Sequence, residues 1–340
     1  MSEPIKQIDE LTPIEYHNEL YYKRDDLYQP FENIPLSGGK VRQCLCLLKS
    51  NYNYIKNHCN SNVVTGTGIT SPQGIIVSRC AKEFGFNSSI VLGKTSPKSI
   101  VKHKLMLNSL YLNAKIDYGS IQAFDNNLNA YIHKYYSKDF YIKFGINLVN
   151  NPDDILLSIG NQCENLPDDL DYLIIPCGSG ITACGILMGL EKFQKFPKHI
   201  IGIQIAGYDR MKLIKSICGN LEVFKHFELR IANDFKYYRN LKLFADNIEL
   251  DWLYESKAYY YMNNYMKGEI QGHKTLFWIV GNSTPVRNSV YKDGNIINTN
   301  DINLNDFSEQ FINKRELYDN IKKQHTIFDE VIDEQKVRII

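Results

Sequence analysis

Short β-branched segments alternate with longer helical stretches along most of this chain, and glycine-rich turns stand between several of them. The apolar segment Tyr172–Pro176 is followed by the turn Gly178–Thr182 and then by a predicted helix that ends near Phe196. The same order leads from Asn62–Thr65 into a predicted helix over residues 72–84. Parallel strands need long crossover connections, usually helices, so this order predicts an α/β protein with parallel sheets flanked by helices. Further strands are predicted at Ser89–Leu92, Lys115–Tyr118 and His199–Ile205, and a further helix at Ser96–Leu112.

The 340 residues include 39 basic and 38 acidic side chains, which gives a formal net charge of +1. A near-neutral chain offers no electrostatic reason to expect tight binding to nucleic acid, although a local basic face stays compatible with this balance. The sequence contains no apolar run of about 18 residues, and its first residues lack the pattern of a secretory signal, so no membrane contact is expected. We therefore expect a cytoplasmic protein.

The eight cysteines form no C-x-x-C pair and have no histidine-rich segment near them. No zinc site or other metal site is expected from this arrangement. Most of the cysteines lie in apolar segments, where small reduced side chains of the core are the expectation.

The turn Cys177–Thr182 (CGSGIT) is the strongest local signal for a bound ligand. Glycines allow close approach of the backbone, and the free N–H groups at a helix start favour a phosphate. The turn is neither a P-loop nor a dinucleotide fingerprint, because the lysine and the third glycine of those motifs are missing. The alternative interpretation is a tight strand-to-helix turn with a Ser or Thr cap.

Lys40 follows Gly38 and Gly39 at the start of an apolar-periodic segment. A lysine at a helix N-terminus faces an unfavourable dipole, and burial lowers the pKa of its ammonium group further. A lysine with a lowered pKa suits Schiff-base chemistry. The alternative is a solvated surface lysine. A second candidate, Ser71, has the simple alternative of a helix cap before Pro72.

Five segments carry a common pattern: Tyr22–Leu27 with Ser37–Arg42, Thr65–Gly74, Cys177–Thr182, Leu250–Ala258 and Leu276–Ser283. Together they resemble the 1-aminocyclopropane-1-carboxylate deaminase and D-cysteine desulfhydrase group, which belongs to the tryptophan-synthase-β-like, fold-type-II pyridoxal-phosphate enzymes. The resemblance covers about Tyr21 to Val286 and predicts a two-domain enzyme of that fold.

The resemblance implies pyridoxal phosphate as cofactor, with Lys40 as the lysine that forms the Schiff base and later moves protons. Ser71 matches a serine that contacts the substrate, Tyr254 a tyrosine of deaminase-type chemistry, and Glu255 an acidic residue beside the pyridine nitrogen. The implied cofactor-binding set is Lys40, Gln73, Gly178, Ser179, Gly180, Ile181, Thr182 and Glu255.

Glu255 favours one reaction class over another. A carboxylate beside the ring nitrogen keeps that nitrogen protonated, and a protonated ring is the stronger acceptor for electrons left at a substrate α-carbon. This position favours deaminase-like chemistry over simple β-replacement. The alternative is a surface glutamate at the end of a strand.

Several positions depart from the family pattern. Gly39 replaces an asparagine, and Pro72 replaces the asparagine that normally bonds the phenolic oxygen of the cofactor. Gln43 replaces a basic residue, Asn282 replaces a glycine, and Lys236–Arg239 occupies the place of a Gly-Tyr-Gly segment. Cofactor anchoring is expected to be retained, while the substrate pocket is expected to differ.

The resemblance predicts a large cofactor-binding domain over residues 1–52 and 169–340, with a small α/β domain over residues 53–168. Residues 300–340 are predicted to form an appended helical tail, and family analogy implies a homodimer. Three functions stay open: a lyase or deaminase for a free amino acid, a cofactor enzyme for an amino acid attached to a larger molecule such as a modified nucleobase, and a non-catalytic binding protein. The basic and aromatic run Lys236–Lys242 motivates the second, and Gly39 with Pro72 motivates the third.

Overall fold

The computed structural model describes residues 8–93, 95–118, 126–146, 153–205, 209–234 and 239–313. The strands are β1 (Ile14–His17), β2 (Leu20–Arg24), β3 (Asn62–Gly66), β4 (Asn87–Val91), β5 (Lys115–Asp117), β6 (Phe140–Ile142), β7 (Tyr172–Cys177), β8 (His199–Gln204), β9 (Phe227–Ile231), β10 (Phe244–Ala245), β11 (Ile248–Glu249), β12 (Thr275–Ile279), β13 (Val290–Lys292), β14 (Asn295–Ile297) and β15 (Phe311–Ile312). The helices are α1 (Gly39–Ser50), α2 (Tyr52–His58), α3 (Gln73–Glu83), α4 (Pro97–Ile100), α5 (Lys104–Tyr111), α6 (Asn126–Tyr135), α7 (Asp153–Gly160), α8 (Ile181–Lys192), α9 (Met211–Cys218), α10 (Glu255–Tyr265), α11 (Lys267–Ile270) and α12 (Thr284–Asn288).

The larger sheet has six strands in the order β1-β2-β12-β7-β8-β9. Its strands pair in parallel except for the β1–β2 hairpin at one edge. Every residue of β7 and of β12 is buried, as is typical of parallel strands that are covered on both faces. The carboxyl ends of β7 and β12 therefore open toward the same edge of the sheet, where ligands of such folds bind.

The smaller sheet has five strands in the order β15-β5-β4-β3-β6, and all of its pairings are parallel. The predicted α/β class with parallel sheets and flanking helices is confirmed. β15, from the region expected to be a tail, pairs with β5 of this smaller sheet. The expected domain boundaries themselves stay a prediction.

Two segments differ from their predicted secondary structure. The helix expected over Ser96–Leu112 is divided into α4 and α5, because His103 adopts an extended conformation between them. The described part of the expected helical tail contains 3₁₀ turns at Thr299–Asp301 and Leu304–Gln310 before β15. Residues 314–340 lie outside the described residues. None of the described helices is long and apolar enough to cross a membrane.

Helices α7 and α8 pack closely because glycines face each other where they cross. A Cβ added to Gly189 would lie 2.2 Å from the carbonyl oxygen of Gly160. A Cβ added to Gly160 would lie 2.9 Å from the carbonyl oxygen of Gly185. Backbone atoms cannot move aside as a flexible side chain can, so this contact requires glycine. It also sets the position of α8, which begins directly after the glycine turn Gly178–Gly180.

Gly189→Ala is expected to lower the free energy of unfolding by about 1–3 kcal/mol, the usual cost of overfilling a packed core. Gly268→Ala in helix α11 is the matched control, since nothing lies within 4 Å of a Cβ added at Gly268. Urea unfolding of both variants measures the difference. Equal stability of the two variants would contradict the close α7–α8 contact.

Candidate active site

Lys40 is the second residue of α1, and two backbone contacts hold the start of that helix against the end of β12. The N–H of Gly39 donates to the carbonyl oxygen of Val280 over 2.8 Å. Gly38 has a φ of 97°, and a Cβ there would lie 2.4 Å from the Cα of Gly281. Only glycine fits this left-handed position and close approach. The Ser37–Lys40 segment therefore places Lys40 at the carboxyl edge of the larger sheet.

The turn Gly178–Gly180 connects β7 with α8 and lies in the same cavity as Lys40. Gly180 has a φ of 92°, a conformation that side-chain-bearing residues rarely adopt. A Cβ on Gly178 would lie 3.0 Å from Cε1 of Tyr254, so the ring of Tyr254 covers the turn closely. Ser179 and Thr182 line the cavity, whereas Ile181 points into the hydrophobic core.

Glu255 is the first residue of α10 and is buried at 2% exposure in the wall of the cavity. Its Oε2 atom makes no hydrogen bond to any residue of the part of the chain that the structure describes. A buried carboxylate oxygen without a partner is uncommon, and it indicates a hydrogen-bonding group that belongs beside it. Tyr254 precedes Glu255 in the same wall, and its ring centroid lies 5.8 Å from Nζ of Lys40.

The pKa values of Lys40 and Glu255 are shifted in opposite directions, and burial is the main cause of both shifts. Burial lowers the pKa of Lys40, while the charges of Glu255 and Asp251 counteract part of this shift. Burial raises the pKa of Glu255 well above its ordinary value, and the nearby charge of Asp251 raises it further. Both shifts favour the neutral forms. The cavity therefore holds a lysine suited to act as a nucleophile and base, together with a carboxyl group able to hold a proton.

The cavity brings together Lys40, the glycine turn, Thr182, Tyr254 and Glu255. It does not include Ser71 in its lining, where Pro72 and Ile76 stand instead. Ser71 Oγ accepts from the N–H of Gln73 over 3.3 Å, which is the helix-start contact that the simpler interpretation expects.

Gln73 is buried behind the cavity wall. Its Nε2 donates to Oγ1 of Thr65 over 2.8 Å and to the carbonyl oxygen of Lys143 over 3.0 Å. Its Oε1 accepts from the N–H of Gly145 over 2.7 Å. The side-chain amide of Gln73 therefore links α3 to β3 and to the segment after β6 by hydrogen bonds. The structure does not bring Gln73 into the lining.

Asp251 lines the cavity and was not singled out from the sequence. Its Oδ1 accepts from the N–H of Leu253 over 2.9 Å. Its Oδ2 accepts from the N–H and the hydroxyl of Ser283 over 3.0 and 2.5 Å. Asp251 therefore ties the segment before α10 to the segment after β12. An aspartate four residues before a helix start is a recognisable turn signal, although its partner Ser283 is distant in sequence.

The predicted basic and aromatic run Lys236–Lys242 is only partly described, because residues 235–238 lie outside the described residues. The described cysteine, histidine and carboxylate side chains do not group into a metal-binding cluster of three or more.

Comparison with known proteins gives relatives of one kind, although no family model matches the sequence. Over 220 residues the chain is 26% identical to the O-seryl-dTMP PLP-dependent decarboxylase of Salmonella phage ViI, covering 59% of this chain and 50% of that protein. Over 188 residues it is 29% identical to the mitochondrial bifunctional D-cysteine desulfhydrase/1-aminocyclopropane-1-carboxylate deaminase of Arabidopsis thaliana, covering 50% of this chain and 45% of that protein. The chain thus matches about half the length of these relatives.

Solved structures agree on the fold. An ACC deaminase homologue superimposes with a TM-score of 0.61 at 20% identity, covering 84% of this chain and 97% of that one. The O-acetylserine-dependent cystathionine β-synthase of Helicobacter pylori gives a TM-score of 0.57 at 14% identity, covering 83% and 96%. The predicted resemblance is confirmed: the chain has the fold-type-II fold of pyridoxal-phosphate enzymes, and over about half of its length its sequence is similar to a member of the 1-aminocyclopropane-1-carboxylate deaminase and D-cysteine desulfhydrase group.

Proposed function

We propose that this protein is a pyridoxal-phosphate-dependent enzyme that breaks a bond at the α-carbon of an amino acid. One observation carries the proposal: a single cavity is lined by Lys40, the glycine turn after β7 and Glu255, whose Oε2 atom has no hydrogen-bond partner among the described residues. The relatives support it, since those named above are enzymes of this cofactor class.

The residues fit pyridoxal phosphate at three points. The turn Gly178–Thr182 offers backbone N–H groups at the start of α8 for the phosphate, and the hydroxyls of Ser179 and Thr182 add donors. Lys40 offers an amine of lowered pKa for the aldehyde. Glu255 offers a buried Oε2 atom for the ring nitrogen. When bound, the cofactor supplies a ring that accepts the electron pair left at the substrate α-carbon.

The protein's own side chains then have separate tasks. Glu255 holds a proton at Oε2, where its raised pKa keeps the carboxyl protonated until a basic partner faces it. Lys40 adds or removes a proton at the α-carbon with Nζ, because its lowered pKa leaves more of the amine neutral. The Tyr254 ring lies over the glycine turn and beside Lys40, so it limits the position of the substrate. Pro72 and Ile76 contribute apolar side chains to the lining.

A second candidate function is decarboxylation of an amino acid that is carried by a nucleotide. The relative from Salmonella phage ViI acts on such a molecule according to its name. A second cavity with basic and aromatic side chains lies beside the first and favours this candidate. Elimination followed by hydrolysis would give a keto acid and ammonia, whereas decarboxylation would give an amine and carbon dioxide.

The cofactor can be tested directly on the purified protein. Protein incubated with pyridoxal phosphate is expected to gain a visible absorption band that borohydride bleaches, and peptide mapping is expected to place the label on Lys40. Incubation with amino acids and amino-acid conjugates, with assays for ammonia and carbon dioxide, then separates the two reactions. A label on another lysine would remove the proposed site, and a bound cofactor with no turnover of any substrate would favour the non-catalytic alternative.

A further inference from the structure

A second cavity, of about 230 Å³, has Trp252 and Leu253 in its lining, and these two residues stand in the chain between Asp251 and Tyr254 of the Lys40 cavity. Arg287 lines this second cavity, and its Nε donates to Oγ of Ser283 over 2.8 Å. Ser283 in turn lines the Lys40 cavity and bonds Asp251 there. Thr70, whose carbonyl oxygen accepts from Nη1 of Arg287, stands two residues before Pro72 of the first cavity. The two linings therefore adjoin each other at three places.

The lining of the second cavity is basic. Lys104 and Arg287 contribute two cationic groups, and no carboxylate lines the cavity within the part of the chain that the structure describes. Burial lowers the pKa of His103, which also lines it, and favours the neutral imidazole. Lys104 lies at the start of α5, and its Nζ donates to the carbonyl oxygen of Asn288 over 2.5 Å. Asp251 lies beyond Arg287 through Ser283, and Glu249 accepts from Trp252, but neither carboxylate lines this cavity, so its two cationic groups attract an anion.

One cationic donor in this wall has no partner. Arg287 donates from Nη1 to the carbonyl oxygen of Thr70 over 2.8 Å and from Nε to Ser283, which fixes the plane of the guanidinium group. Its Nη2 atom is buried, and no described residue accepts a hydrogen bond from it. Leaving a buried charged donor unpaired is unfavourable, so an external acceptor is expected there. Phosphate oxygens suit a fixed guanidinium group.

An indole ring completes the lining. Trp252 is half-buried in this cavity, and its Nε1 donates to Oε1 of Glu249 over 3.2 Å. Nζ of Lys242 lies 5.6 Å from the centroid of the indole ring. An aromatic side chain next to cationic groups is the combination that binds a base by stacking and its phosphate by charge.

We infer that this second cavity binds a nucleoside monophosphate unit, with the phosphate near Lys104 and Arg287 and the base against Trp252, so that an attached amino acid reaches Lys40. The inference rests on the proposed function and deepens it by naming the class of substrate. The unit can be a free nucleotide or a residue of a polynucleotide strand, since both present the same phosphate and base.

Tryptophan fluorescence of the purified protein tests the inference without turnover. The chain has two tryptophans, and Trp278 is fully buried, so Trp252 is the one that a ligand in the cavity contacts. Thymidine 5′-monophosphate is expected to quench the emission saturably, and Trp252→Phe is expected to abolish the quench. Thymidine alone and inorganic phosphate alone are expected to bind at least about tenfold more weakly, because each lacks one half of the contacts. A short single-stranded oligonucleotide in a parallel titration shows which source is preferred.

Two variants, Lys104→Glu and Lys102→Glu, each replace one positive charge by a negative charge, at positions two residues apart. Lys104→Glu is expected to weaken binding of the nucleotide about 10- to 100-fold, as loss of a charged hydrogen bond does. Lys102→Glu is the control, since Lys102 is exposed and does not line the cavity. The inference is overturned if neither ligand quenches, or if both variants weaken binding equally. Nucleotide binding without a borohydride label on Lys40 would overturn the proposed function while leaving the cavity inference intact, and a label without nucleotide binding would do the reverse.

Discussion

Replacing Lys40 by alanine is expected to abolish the borohydride-stable label and to lower turnover by about 10⁴-fold, the upper end of what a positioned acid–base group contributes. The reason is that, under the proposed function, Lys40 would supply the amine for the cofactor aldehyde and the base for the substrate α-carbon. The glycine turn is unchanged in this variant and is expected to bind the cofactor phosphate still, so the cofactor should bind more weakly and reversibly.

Lys49→Ala is the matched control for Lys40→Ala. Lys49 lies in the last turn of the same helix and is exposed, so its removal should change neither the label nor the turnover. Added small primary amines should restore part of the activity of Lys40→Ala, because they replace the missing base. A variant that keeps the label on the remaining lysines with normal turnover would show that Lys40 is a structural residue.

Glu255→Gln is expected to lower kcat about a hundredfold and to leave KM nearly unchanged, because the carboxyl stabilises charge that develops only in the transition state. The cofactor should still bind and label Lys40, since Gln keeps the shape and the glycine turn is intact. Steady-state kinetics with the absorption spectrum of each variant provide the measurement. Glu164→Gln, at an exposed position, is the control for the chemical change itself.

The pH dependence of the free energy of unfolding gives a second test of Glu255, in the cofactor-free protein. The folded state keeps this carboxyl protonated above its ordinary pKa of 4.5, since burial raises that pKa. As pH rises through 4.5, the unfolded chain loses the proton and the folded protein does not, so this group lowers the stability as pH rises. Glu255→Gln removes that effect. The variant should therefore lose less stability than the wild type between pH 4 and pH 7 in denaturant unfolding, and a larger loss would contradict the assigned burial.

Local sequence patterns predicted the helices and strands more reliably than they predicted which residues form the candidate active site. The strands and helices around the glycine turn were predicted within a few residues, because apolar periodicity and glycine punctuation are local properties. The division of the helix expected over residues 96–112 at His103 was missed, since its helical composition continues through the break. Lys40 was a candidate from its position after two glycines, whereas Tyr254 and Glu255 were identified through the family resemblance. No spacing in the sequence relates the three residues to one another.

The sequence by itself determined the α/β class, the parallel sheets and the glycine turn at the start of α8, because these follow from residue preferences over short stretches. Only the tertiary structure decided which side chains meet. It placed Pro72 rather than Ser71 in the cavity wall and turned Gln73 toward Thr65. It also brought Lys104 and Arg287, distant in sequence, to one basic cavity. The physical reason is that side-chain direction and burial depend on contacts between segments far apart in the chain, and no local pattern records those contacts.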